Sequence, residues 1–570
     1  MTAVAKGSPA DGVLNCDDVI LGVGNKSFDG DARIQFGKAI TVAEQVKNGG
    51  VLKLIRWRAG KTETVQLKLA VMGSYSGTAP YDCQKSKKIF EQGCQTIAKK
   101  GLSKATIDND LNALALLASG KKKYRPMLAE YAKKISASLH PGKWTWFYGY
   151  GNIFLAEYVL STGDKSILPE LKRTAKEAAM SQSVAGMWGH EFYLTPSGNL
   201  NGYGAMNQTA LSQTIGLVLA RQAGVNDPAV DQAIAKSARV LRWFVDKGGI
   251  PYGDHLPWPG YESNGKSSSA AVLFDLLGDS ATSSFYSRMS TAAYSERERG
   301  HTGIFFNVLW SLPGVSRCGP LATGAYLKEQ SWYYDLARGW DGSFGYQGSP
   351  VGEEDHGKYA KWNCTGAYML AYALPLKSLY LTGKKPCSVQ ALNKKEVAEG
   401  IDRQLLYPAI RLALQNDDAV ARRSIAPILG QLTDRDLAVL LPDIIKAIEK
   451  LAPSNEMFGD VIRVEGLSLL AKKRIIEGLP LCLNIMEIQR HGKKNRVVPC
   501  LKSLEIYGPA AVKTILPELK QMEKDLLKHQ EANNVLSDGI KKIHKMIAEA
   551  EAATGKPEFI SLAQFIRENK

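Results

Sequence analysis

AMNQTALSQTIGLVLA, residues Ala205–Ala220, sets the fold class. The run is far longer than an ordinary buried strand, and small or apolar side chains surround it on every side, which suits a helix enclosed by other elements. Five more stretches share this texture: Asn109–Ser119, Tyr150–Ser161, Lys266–Gly278, Gly303–Leu312 and Trp362–Leu374. Most are followed by a more charged amphipathic stretch, as at Tyr124–Leu139, Pro169–Met180, Ala229–Asp246 and Ala281–Glu298. Repetition of one two-helix unit is the mark of a repeat architecture. An apolar helix alternating with an amphipathic one is what an inner ring wrapped by an outer ring requires. The expected fold is therefore mainly α, with an α/α toroid of about six hairpins over residues 72–389.

The flanks differ from this middle. Residues 1–71 carry short β-like runs with turn punctuation, and Val51–Leu69 alternates and breaks at Arg58-Ala59-Gly60-Lys61, which predicts a hairpin. Phe36–Gly50 reads as one helix closed by Gly49-Gly50. From 390 to 570 paired amphipathic helices recur at roughly the 40-residue spacing of HEAT-like repeats, whose stacked surfaces suit protein partners.

Hydrophobic content of 45% with 22% charged residues is that of a folded soluble protein rather than a disordered one. The net charge of +16 raises the question of a polyanionic partner. Residues 390–570 hold 28 Lys and Arg against 24 Asp and Glu, so most of the excess is dispersed through the first two thirds, and no nucleic-acid motif accompanies it. Eight cysteines stand without CxxC spacing, so neither a zinc site nor a disulfide framework is expected, and no metal or other cofactor is. No 18-residue apolar run predicts a membrane span.

GSPADGVLNCDDVILGVG (Gly7–Gly24) resembles the core of bacterial PDZ domains, with Cys16 where a Gly is usual. The carboxylate loop of such domains would precede Thr2, so the resemblance implies a partial PDZ-like module and a chain truncated upstream together with its leader. GWDGSFGYQG (Gly339–Gly348) resembles a turn of the terpenoid-cyclase and prenyltransferase toroids, although the acidic segment of the cyclases and the zinc ligands of the prenyltransferases are missing. The order of a PDZ-like start, VMGSYSGTAPYDCQKS (Val71–Ser86), a toroid and a helical tail resembles an uncharacterised bacterial family. That family implies an exported or periplasmic protein and supplies no reaction; a chain complete as it stands would instead be cytoplasmic.

Five of the eight histidines fall in connectors that enter the apolar helices: His140, His190, His255, His301 and His356. In a closed ring these connectors share one end. Beside them stand Trp144, Trp146, Trp188, Trp258, Trp340 and Tyr203, with Glu191, Asp254, Glu262, Asp341, Glu353, Glu354 and Asp355. Aromatic rings stack on the apolar faces of sugars, and carboxylates with imidazoles supply proton transfer. The expected function is a carbohydrate-active enzyme, a glycoside hydrolase or a polysaccharide lyase, acting on an acidic or neutral polysaccharide. Expected catalytic residues are His190, Glu191, His255, His301 and Asp341, and expected substrate contacts are Trp144, Trp188, Tyr203, Asp254, Trp258, Trp340 and His356. The alternative is a non-catalytic exported adaptor binding proteins through its PDZ-like and HEAT-like parts.

Overall fold

The computed structural model describes residues 2–192, 200, 204–255, 257–258, 260–262, 264–296, 303–346, 363–402, 407–415, 429–430, 432–451, 459–489, 497–528 and 536–569. The chain is mainly α, with one small antiparallel sheet near its start. Its contacts divide it into two units, the second comprising Arg403–Lys570 with Asp246–Gly248 and Leu256–Gly260. Among the described residues no helix is long and apolar enough to cross a membrane.

The first unit opens with the sheet, of order β2-β1-β3-β4: β1 (Val19–Val23), β2 (Lys26–Ser27), β3 (Val51–Arg58) and β4 (Lys61–Lys68). The expected hairpin forms, and its turn residues Ala59 and Gly60 both take positive φ, matching the twist of the strands it joins. Helix α1 (Ala32–Ala43) starts at Asp31, whose carboxylate accepts the Arg33 N–H. It ends before the expected Gly49 because Gln45 turns extended, leaving Val46–Asn48 as a separate 3-10 turn. Leu14, Leu52, Leu54 and Leu67 form the core beneath the helix.

Among the described residues up to Tyr372 the following helices come next: α2 (Gln84–Lys100), α3 (Ile107–Ala118), α4 (Arg125–Ser138), α5 (Thr145–Thr162), α6 (Leu168–Met180), α7 (Asn207–Gln222), α8 (Pro228–Arg242), α9 (Lys266–Leu277), α10 (Ser280–Ala292), α11 (Gly303–Val315), α12 (Pro320–Ala337) and α13 (Thr365–Tyr372). The apolar members pack in the order α3, α5, α7, α9, α11, α13, and α13 packs back on α3. Closure at that seam needs Gly366, since any side chain there would run into the backbone of Leu111 and Asn112. The charged helices lie outside, and α2 supplies the outer partner of α13.

The sheet module is fastened to this ring. Helix α1 packs on α12, with Gly37 against the Trp332 carbonyl. Beside that contact Lys85 Nζ lies 2.9 Å from Glu44 and 2.6 Å from Asp335, and Arg338 bridges the same two carboxylates. Thr41 and Tyr75 donate to Asp335 at 2.8 and 2.9 Å. Two cations and two anions, all buried, balance one another, which is the condition for holding charge away from water. The helix Lys394–Ile401 packs on α10 and α12 and belongs to the first unit.

In the second unit, helices Asp434–Leu451, Gly459–Lys472, Gly478–Gln489 and Val497–Tyr507 pack each on the next around Leu441, Ile444, Leu470, Cys482 and Leu504. The last helix, Leu562–Asn569, returns to Asp434–Leu451, a contact that an open one-directional stack would leave unmade.

Candidate functional site

Each outer helix carries the chain back, so the apolar helices all point the same way and their N-termini share one end of the ring. The loops arriving there are long and are joined to one another by hydrogen bonds. Met206 N–H donates to Trp188 O at 2.8 Å, Asn207 N–H to Tyr252 O at 3.1 Å, and Asn363 N–H to Asp108 at 3.3 Å. The Asn207 side chain holds the carbonyls of Pro251 and Gly253, each at 2.9 Å. Such a collar of loops on a rigid helical base is where function usually resides.

The clearest corner of the collar is a short antiparallel ribbon. Gly142 and Phe192 pair through Gly142 N–H to Phe192 O at 3.0 Å, Thr145 N–H meets His190 O at 2.9 Å, and Trp144 and Glu191 stand opposite each other. Cross-strand partners share a face, so the Trp144 indole and the Glu191 side chain lie side by side. Trp144 is 53% exposed. Its ring centre is 5.4 Å from that of half-buried His190, whose Nδ1 accepts the Trp146 indole N–H at 3.2 Å. An accepting Nδ1 places the proton of a neutral imidazole on Nε2.

Below this corner the ring interior is aromatic. Trp146 stacks on Phe306 at 5.1 Å, Tyr150 stacks on Phe306 at 5.9 Å, and Trp310 donates to the Tyr150 hydroxyl at 3.1 Å. Helices α5 and α11 stand three places apart in a ring of six, so these contacts cross the ring and give the mouth a floor.

A second sector surrounds the start of α9. Asp254 and His255 are exposed here. Glu262, buried, accepts the N–H groups of Ser267 and Ser268 at 2.9 and 2.7 Å, and Glu296 accepts those of Tyr261 and Glu262 at 3.0 and 3.4 Å. Lys266, the first residue of α9, is fully buried with Nζ 5.4 Å from the centre of the Tyr252 ring. Burial pushes its amine down to about 7, against the opposing pull of Glu262. Sequence reading passed over Lys266 as part of an apolar helix, yet a lysine on the positive end of a helix dipole was a usable signal.

The remaining expected residues are placed as follows. Trp188 is 1% exposed, with its indole N–H on Ala178 O at 2.8 Å, so it anchors the loop from inside and presents no face to a ligand. Asp341 accepts the N–H and hydroxyl of its neighbour Ser343 at 3.0 and 2.5 Å. Partial burial raises its pKa, but Ser343 and Lys100 outweigh that and hold the carboxylate below its ordinary range. Trp340 is exposed beside Gly7, and half-buried Trp258 groups with the second unit. His140 is exposed, with Nδ1 3.0 Å from the Pro141 carbonyl. Tyr203, His301, His356, Glu353, Glu354 and Asp355 lie outside the described residues. Phe306, on the floor of the mouth, was not singled out from the sequence.

No curated protein and no solved structure matches this chain. Residues 86–383, from α2 through the closing helix α13, match the model of a domain of unknown function, DUF6288. That match covers more than half of the 570 residues and nearly all of the helical ring, and the chain belongs to the DUF6288 family.

Proposed function

We propose that the loop-lined end of the ring binds a carbohydrate chain and cleaves it, as a glycoside hydrolase or a polysaccharide lyase. The observation that carries this reading is the Trp144, His190 and Glu191 corner: an exposed indole for stacking, an imidazole whose tautomer is fixed by Trp146, and a carboxylate paired across the ribbon. In this reading Trp144 holds a sugar ring, and His190 and Glu191 exchange protons with the glycosidic oxygen or, in a lyase, take the proton from the carbon α to a uronate carboxylate as the C–O bond to the leaving oxygen breaks. Asp254 and His255 extend the subsite, and Asp341 with Trp340 belongs to the same end. The ring is read as an α/α toroid of the terpenoid-cyclase kind, the sheet module as PDZ-like, the second unit as HEAT-like, and the protein as exported.

A second reading, a non-catalytic adaptor, is favoured by one feature. Val19, Leu21 and Trp57 are exposed on the sheet, with Val19 paired to Trp57, and such a patch suits a protein partner. The deciding experiment is turnover against neutral, uronic and sulfated polysaccharides by the full chain and by Glu191→Gln and His190→Ala. Product formation that both substitutions reduce at least a hundredfold supports the enzyme; absence of turnover with all three substrate classes sinks it and leaves the adaptor.

A further inference from the structure

At the other end of the ring the apolar helices finish in short loops, and between the ends of α3 and α5 and the start of α4 lies a cavity of about 100 Å³. Lys121, Arg125 and Lys384 line it together with Ser161, Thr162 and Ser378. Its volume is that of roughly three waters, enough for a tetrahedral oxyanion.

The charges around it are unbalanced. Among the described residues none of the three cations is in an ion pair. Of the carboxylates in the same region, Asp164 accepts the Tyr158 hydroxyl at 2.8 Å and the Ser166 N–H at 2.9 Å, and Glu157, which feels the charge of Lys384, accepts the N–H groups of Leu381 and Tyr380 at 2.8 and 3.2 Å. Lys384 donates to the Leu160 carbonyl at 2.9 Å, and its Nζ lies 5.5 Å from the centre of the Tyr380 ring. Ser378 and Thr162 donate to Ala118 O and Tyr158 O, each at 2.6 Å. Arg125 and Leu128 belong to the first turn of α4, which runs on from the 3-10 turn Lys122–Tyr124 and gives the Arg125 N–H to the Lys122 carbonyl. Three exposed like charges outside any ion pair, around one small space, form an environment that an anion would complete.

We propose that this cavity binds a phosphate or sulfate group, with Lys121, Arg125 and Lys384 as counter-charges. The Lys121-Lys122-Lys123 run and Lys384-Lys385 then form its rim, which gives part of the dispersed basic charge a task. The site is at the opposite end from the carbohydrate mouth and does not depend on that reading.

Calorimetric titration at fixed ionic strength tests it, with sodium phosphate, sodium sulfate, dextran sulfate and neutral dextran as probes. The full chain is compared with Lys121→Gln/Arg125→Gln, with Lys384→Gln, and with a control of charge loss at exposed positions elsewhere, Lys53→Gln/Lys104→Gln. Binding weakened at least tenfold by the first variant, severalfold by the second and not by the control is the expected result. Free anions binding alongside the polymer would identify the ligand as the oxyanion itself; binding of dextran sulfate alone would identify an ester carried on a chain. No binding by the unaltered protein, or equal weakening by the control, would reduce the cluster to ordinary capping of helix C-termini and overturn the proposal.

Discussion

Replacing Lys266 by Met should make this protein more stable, by an amount that depends on pH. Burial lowers the amine from its ordinary 10.5 to about 7. Between those two values the unfolded chain holds a proton that the folded chain lacks, so stability rises as the pH rises through the window and is lowest below pH 7. Each unit of separation corresponds to about 1.36 kcal/mol, so keeping this lysine lowers stability at pH 7 by about 4 kcal/mol. Met has nearly the same unbranched length and nothing to ionise. Lys266→Met should therefore gain about 4 kcal/mol at pH 7, with the gain shrinking by about 1.4 kcal/mol per pH unit and vanishing near pH 10.5. Glu262 keeps its hydrogen bonds from Ser267 and Ser268 in the variant, so its carboxylate is not stranded. Urea unfolding of both proteins at pH 7, 8 and 9 measures this, followed by tryptophan fluorescence, because all ten tryptophans precede residue 363. Subtraction of the two curves removes every other titrating group. A variant no more stable than the parent at pH 7, with a parallel pH dependence, would refute the reasoning and show that the pair with Glu262 outweighs burial.

Glu157 gives the opposite slope: burial raises its carboxyl to about 7, so the parent should lose about 3 kcal/mol of stability relative to Glu157→Gln between about pH 4.5 and 7, measurable in the same urea series. Removing one member of the buried cluster, as in Lys85→Met, leaves Glu44 and Asp335 under-compensated and should destabilise the first unit by about 3–5 kcal/mol in urea. Trp188→Ala should remove about 3–5 kcal/mol by opening a cavity. Trp144→Ala should change stability by less than about 1 kcal/mol yet abolish measurable binding of the cleaved polysaccharide. Equal binding by Trp144→Ala and its parent would dismiss the stacking role.

The ring was legible because its inner helices are buried on every side. That condition strips charge from 10 to 20 residues at a time, a signal no strand or surface helix imitates, and Ala205–Ala220 carries it almost alone. The hairpin was equally plain from the alternation of Val51–Leu69 on either side of Arg58-Ala59-Gly60-Lys61, although Ala59 takes a positive φ that Gly, Asn or Asp accepts more readily. The attachment of the sheet to the ring was not. It rests on Gly37, Glu44, Lys85, Asp335 and Arg338, which sit at unrelated places in the sequence and become a cluster only after folding.

The site was read by residue type, and residue type separates a ligand-facing tryptophan from a structural one poorly. Trp144 and Trp188 both lie in Gly-containing loops before inner helices, and only the structure divides them, one with an open face and one with its N–H tied to Ala178. The acids divide in the same way: Glu191 faces outward on the ribbon, whereas Glu262 and Glu296 use their oxygens to satisfy backbone N–H groups that the bends into α9 would leave bare. A polar residue in a loop of this kind has two possible employers, the backbone and the ligand, and the backbone has first claim because a buried unsatisfied N–H is expensive. The groups left over after that claim are the ones with chemistry to offer, and at the mouth they are Trp144, Glu191, Asp254 and His255.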